Sequence, residues 1–253
     1  MIMNKIVARI FLITVILGVF VPGRPGTSIR SFKPLPSDQL IIVVAKNWDT
    51  VGAQLYTFEK KKGSWQPQFS FPVVLGQKGM AMGEGMRDIQ VPDAPQKKEG
   101  DMKSPAGIFY LGPAFGYAGK SKAEWIHLRY LRATDTLLCI DDSHSALYNK
   151  LVSSDTTETD WMSHEEMLRK DIDYKWGIFV QHNVHPVKKN MGSCIFLHIW
   201  EGSGEGTAGC TAMEEKNILK LLKWIRADKH PLLVQFPDIV YKKIRRDYVL
   251  PVL

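Results

Sequence analysis

The chain has 253 residues, of which 45% are hydrophobic and 23% charged, enough for one well-cored domain and without a clear second. Its 33 Lys and Arg outnumber 26 Asp and Glu, and the formal net charge of +7 suits contact with polyanions. Nucleic acid is a poor candidate among these, because the basic residues do not alternate with exposed-looking aromatics.

The first 27 residues read as an export segment. Lys5 and Arg9 precede an apolar run from Ile10 to Val21, about as long as a signal-peptide core and short for a spanning helix, with a retained membrane anchor as the other reading. Membrane contact is accordingly expected through this segment. The body, taken as 38–237, is rich in strands broken by glycine and proline. Expected strands run from Leu40 to Ala45, Ala53 to Phe58, Phe71 to Gly76, Gly107 to Gly112, Leu137 to Ile140, Gly177 to Val180, Cys194 to Trp200 and Leu232 to Phe236. Two helices are expected. One spans Ser163 to Asp171, with Ser163 and Glu166 as a capping box, and the other follows Cys210. The connections from Gly76 to Ser104 and from Asp141 to Asp160 exceed ordinary loop lengths and are expected to shape a cleft. After Pro237, Lys242, Lys243, Arg245 and Arg246 make 238–253 a basic tail, either binding polyanions or simply solvated.

Among the three cysteines, Cys210 stands apart, since GTAGCTAM places it between a glycine turn and an expected helix. Apolar residues at Ile218, Leu221, Leu222 and Ile225 have helical spacing, and Thr211 with Glu214 forms a T-x-x-E capping box that starts the helix just after the thiol. Helix-end N–H groups and the helix dipole would then favour a thiolate and receive an oxyanion. In SCIFLHIW, alternation places His198 opposite the aliphatic face of its strand, and the glycine-rich EGSGEGTAG can bring it back onto Cys210 as base. Cys139 and Cys194 read as buried strand residues that are free to pair or not. A metal site from His182, His198 and Cys210 lacks the close spacing of zinc ligands.

The segments KKEGDMKSPAGIF and HIWEGSGEGTAGCTAM together resemble the L,D-transpeptidase catalytic domain, the YkuD-like fold of bacterial cell-wall enzymes. Lys98, Gly100, Asp101, Ser104, Pro105, Gly107 and Phe109 fill its first pattern, and Thr207, Gly209 and Cys210 its second, over a stretch from about Leu40 to Phe236. The resemblance implies a mainly β fold and cysteine acyl transfer on peptidoglycan stem peptides. It implies Cys210 as nucleophile and His198 as base, with Thr207 and Gly209 at the oxyanion or substrate and no cofactor; Thr211 joins them as the expected cap, and His182, on one face with Ile178 and Val180, either substitutes at the strand end for the histidine missing at Ala208 or is a plain surface or loop residue. With the N-terminal segment the resemblance points to export to the periplasm or cell envelope, and a monomer is expected. Two departures stand out: Ala208 occupies the place of the family's histidine before Gly-Cys, and the twelve positions from His198 to Cys210 are fewer than usual. The alternatives are an L,D-carboxypeptidase and a wall-binding protein without chemistry.

Overall fold

The computed structural model describes residues 33–253, so the N-terminal segment read as a signal or anchor lies outside the described residues. The apolar run Leu40 to Val43 is wholly buried in strand β1 (Gln39–Ala45), because both its edges are paired: parallel to β13 (Leu232–Pro237) and antiparallel to β2 (Gly52–Lys61). From β2 the sheet continues through β3 (Ser64–Val74) to β12 (Thr211–Met213), β11 (Phe196–Ile199) and β10 (Trp176–Val180). The long strand β5 (Ser104–Gly116) pairs with β13 through its first half and with β10 through its second, which joins the two ends into a closed ring of eight strands. Short strands β4 (Met80–Met82) and β6 (Tyr130–Arg132) add to β5. Helix α1 (Glu215–Trp224) buries Ile218, Leu221 and Leu222 and packs on β10 and β11, whereas α2 (Asp238–Ile244) packs on β13 and β1.

A separate three-stranded sheet, in the order β8 (Leu151–Ser153), β7 (Leu137–Cys139), β9 (Glu165–Glu166), stands beside the ring. A disulfide between Cys139 and Cys194 ties β7 to the segment entering β11, so these two cysteines do pair. The fold is mainly β, as the sequence implies. Among the described residues no helix is long and apolar enough to cross a membrane.

Three local expectations fail. Ser163–Asp171 forms no helix: Glu165 and Glu166 pair with β7, and Met167 is fully buried with its N–H on the Leu137 carbonyl, so sheet pairing overrides the capping-box pattern. The helix expected after Cys210 forms as α1, but not directly behind the thiol. Thr211–Met213 is buried strand, and Thr211 Oγ1 donates to Gln235 Oε1 at 2.8 Å instead of capping α1, which begins only at Glu215. Residues 238–253 are part of the body and not a loose tail: α2 buries Val240, Tyr241 and Ile244, and Tyr241 Oη and Trp65 Nε1 donate to the carbonyls of Pro251 and Val249.

Candidate active site

Parallel pairing of β11 with β12 sets Leu197 against Thr211 and His198 against Ala212. Side chains alternate along each strand, so Phe196, His198, Cys210 and Ala212 share one face and His198 lies diagonally across from Cys210. The Phe196 N–H donates to Cys210 Sγ at 3.3 Å. The turn before the nucleophile candidate is held by hydroxyls. Thr207 Oγ1 and Ser104 Oγ both donate to the Cys210 carbonyl, at 2.7 and 2.8 Å, while Thr207 Oγ1 accepts from Gly209 N–H and Ser104 Oγ from Gly76 N–H. Gly209, at φ +156°, needs its missing side chain there, since a Cβ would come within 3.3 Å of the Lys103 carbonyl.

Burial dominates the electrostatics. Cys210 is 8% exposed, and desolvation pushes its thiol up to about 12 against the smaller opposing effect of the Phe196 N–H. The same cause holds His198 down at about 4, despite the Ile199 carbonyl favouring its charged form. The pair therefore rests as neutral thiol and neutral imidazole. His198 Nδ1 lies 2.7 Å from the Ile199 carbonyl, which can only accept, so Nδ1 carries the proton and Nε2 keeps the lone pair. The expected help from a helix dipole is absent, because α1 starts beyond β12.

Cys210 and His198 open onto a cleft of about 620 Å³. Its wall carries Glu99, Asp141, Glu165, Asp173, Glu201 and Glu205 against only Lys97 and Arg169. Both cations are already paired, Lys97 with Asp101 at 2.5 Å and Arg169 with Asp171 at 2.7 Å, so the cleft is negative in a chain of positive net charge. Desolvation raises Asp173 to about 6 and also raises Glu165. Of the two long connections, Gly76 to Ser104 supplies Gln77, Lys97, Glu99, Gly100 and Met102, whereas Asp141 to Asp160 supplies Asp141.

Thr207, Ala208 and Gly209 line the cleft, but Thr211 and His182 do not. Thr211 is turned to Gln235, whose Nε2 donates to the Pro105 carbonyl, and so braces β12 from behind. His182 is buried with its ring edge-on to Phe109 and Nε2 2.9 Å from the Met191 carbonyl; it does not stand in for the histidine absent at Ala208. It also lies apart from the cleft that His198 and Cys210 share, and among the described residues no three His, Cys, Asp or Glu are placed to hold a metal ion. Sequence reasoning missed Lys97, Glu165, Arg169, Asp173 and Tyr174. Alternation of Glu165, Met167 and Arg169 was the available signal for an extended segment, and the capping box hid it.

Residues 41–234 match the L,D-transpeptidase catalytic domain, YkuD. The chain belongs to this family. Similar solved structures include Bd1075 of Bdellovibrio bacteriovorus, with 15% identity over 83% of this chain and 54% of that one at a TM-score of 0.39. Another is the helical cell shape determining protein Pgp2 of Campylobacter jejuni, with 17% identity over 79% and 48% at a TM-score of 0.38. The chain thus spans about half the length of these structures. No curated protein matches it.

Proposed function

We propose that this protein carries out cysteine acyl transfer on peptidoglycan stem peptides in the cell envelope. As the stem's scissile carbonyl approaches Cys210, His198 Nε2 takes the thiol proton while the S–C bond forms, since neither group is charged at rest. The Cys210 N–H stabilises the tetrahedral oxyanion; the Gly209 N–H is committed to Thr207 Oγ1. The imidazolium then protonates the departing D-alanine amine, and the remaining thioester passes to an amine or to water. The negative cleft supports a donor whose third residue is a diamino acid, meso-diaminopimelate or lysine, with its side-chain ammonium facing the carboxylates.

The observation that carries this proposal is the shared face of His198 and Cys210 in one cleft, with Nδ1 occupied by Ile199 and Nε2 left to act. The burial of Cys210 favours one rival, a wall-binding protein that keeps the fold without chemistry. Intact mass spectrometry of the full chain after incubation with a carbapenem separates the two. A single adduct lost in Cys210→Ala is expected, and an unmodified wild-type chain that also leaves tetrapeptide stems intact would establish the rival.

A further inference from the structure

His198 makes one directional bond, from Nδ1 to the Ile199 carbonyl, and a ring held at one atom can still turn. What closes on it is Tyr174. The two rings meet edge to face at 5.3 Å, and Tyr174 meets Phe196, on the same strand, in the same way at 5.3 Å. The phenol is itself fixed. Its hydroxyl donates to Glu165 Oε2 at 3.2 Å, and the Arg169 guanidinium lies over its face, 5.0 Å from the ring centre. Arg169 cannot swing away freely, because Asp171 grips it through Nε at 3.0 Å and Nη2 at 2.7 Å. The chain carrying these groups is pinned to β11 where it matters, with the Ile199 N–H on the Asp173 carbonyl at 3.0 Å. Glu165, Arg169 and Asp171 come from the stretch expected to be a helix, and Asp173 and Tyr174 follow it directly.

We propose that Tyr174, clamped between Arg169 and Glu165, is the positioning residue that holds the His198 imidazole with Nε2 toward Cys210. Tyr174 shares the cleft wall with His198 and Cys210, and its hydroxyl is committed to Glu165; it acts by denying His198 its other ring orientation and tautomer. This rests on His198 being the base of the proposed acyl transfer, so the test includes a readout independent of turnover. In the full chain labelled with ¹⁵N-histidine, the His198 ring nitrogens report the tautomer directly. Wild type and Tyr174→Phe, which keeps the ring, should show a single Nδ1–H form, and Tyr174→Leu a mixture of both. On tetrapeptide stems, Tyr174→Leu should lower kcat about 100-fold with KM changed less than about twofold, as expected for a displaced catalytic group, and Tyr174→Phe should recover kcat to within about threefold of wild type.

Should Tyr174→Leu not fold, Arg169→Leu removes the lid on the ring at a half-exposed position and should give the same tautomer mixing with a kcat loss of about tenfold. A His198 signal identical to wild type in folded Tyr174→Leu or Arg169→Leu would overturn the clamp, whatever the turnover. So would a rise in KM alone for Arg169→Leu, which would make Arg169 a substrate contact. A wild-type protein that shows the single tautomer and the variant mixing, yet turns over no stem peptide, would keep the clamp and sink the proposed reaction instead.

Discussion

Ser104 Oγ donates to the carbonyl of Cys210 across 106 positions of sequence, and in the same place it accepts the Gly76 N–H. One hydroxyl thus ties the start of β5 and the end of β3 to the turn that presents the thiol. Ser104→Ala would leave a buried N–H unsatisfied and the carbonyl with Thr207 alone, at a cost of about 1–3 kcal/mol. Turnover should fall more than substrate affinity, because the Cys210 N–H is aimed by this turn. Urea unfolding beside steady-state kinetics checks both, and unchanged kcat in a destabilised variant would show that Thr207 suffices.

That link explains how far the sequence could be read. Ser104, Thr207, Gly209 and Cys210 are legible as motif residues because each has a backbone or nucleophilic duty that few other residues can perform. The strands with full apolar runs, such as Leu40 to Val43, are legible because burial on both faces leaves no other assignment. What misleads is the region where local and distant partners compete. Thr211 and Glu214 fit a capping box, but the parallel edge of β11 takes Thr211–Met213 as a strand first. Ser163 and Glu166 fit another, and β7 takes Glu165 and Glu166. The negative cleft was hidden for the same reason, since Glu165 is placed by its pairing with β7 and Asp173 by its carbonyl's bond to β11.

Two buried imidazoles contribute to the acid stability. His182 and His198 are both held at about 4 by burial, against an ordinary 6.5. The unfolded chain then binds protons more readily, so each contribution is complete above pH 6.5 and is lost as pH falls through about 4. Each amounts to roughly 3 kcal/mol at full effect. Asp173, raised to about 6 from 3.8, slopes the opposite way over the lower part of this window. His182→Gln should therefore unfold with a flatter pH dependence than wild type between pH 6.5 and pH 4. Equal slopes in denaturant titrations would show that His182 stays neutral in both states or charges without cost.

Reduction should loosen the cleft before the ring. The Cys139–Cys194 bridge closes 55 positions of chain and connects the three-stranded sheet to the segment whose Phe196 N–H contacts Cys210 Sγ. Losing a bridge of this span typically costs about 2–5 kcal/mol. Cys139→Ala and Cys194→Ala should each lose about that much, well beyond the effect of trimming a buried thiol. Thermal unfolding with and without reductant tests it, and wild type unaffected by reductant while both variants are destabilised would assign the loss to packing.

Charge in the cleft should be felt by the donor. The wall carboxylates have only two cations beside them, and both are already paired. Acetylating the side-chain amine of a lysine-containing tetrapeptide stem should lower kcat/KM about tenfold in this partly screened setting. The loss should shrink at high salt. Equal turnover of acetylated and free stems would show that the ammonium points away from the wall.

The fate of the thioester follows from Ala208. This residue lines the cleft one position before Gly209, exposed, and carries a methyl where the family has an imidazole. His182 cannot replace that imidazole, being buried away from the cleft lining against Phe109 and the Met191 carbonyl. An incoming amine must be both held and deprotonated to attack a thioester, and the cleft wall offers carboxylates, which retain an ammonium in its protonated, non-nucleophilic form. Water arrives uncharged and needs only the general base that His198 Nε2 becomes again once D-alanine has left. Hydrolysis should therefore outpace crosslinking, with D-alanine release from tetrapeptide muropeptides yielding chiefly disaccharide tripeptide. Ala208→His should shift products toward dimers, by restoring a neutral base beside the acceptor. Separation of the products by chromatography decides: chiefly 3→3 dimers from the wild-type chain would show that the cleft orders and deprotonates an amine without that histidine, and that the departure at Ala208 has no bearing on acceptor choice.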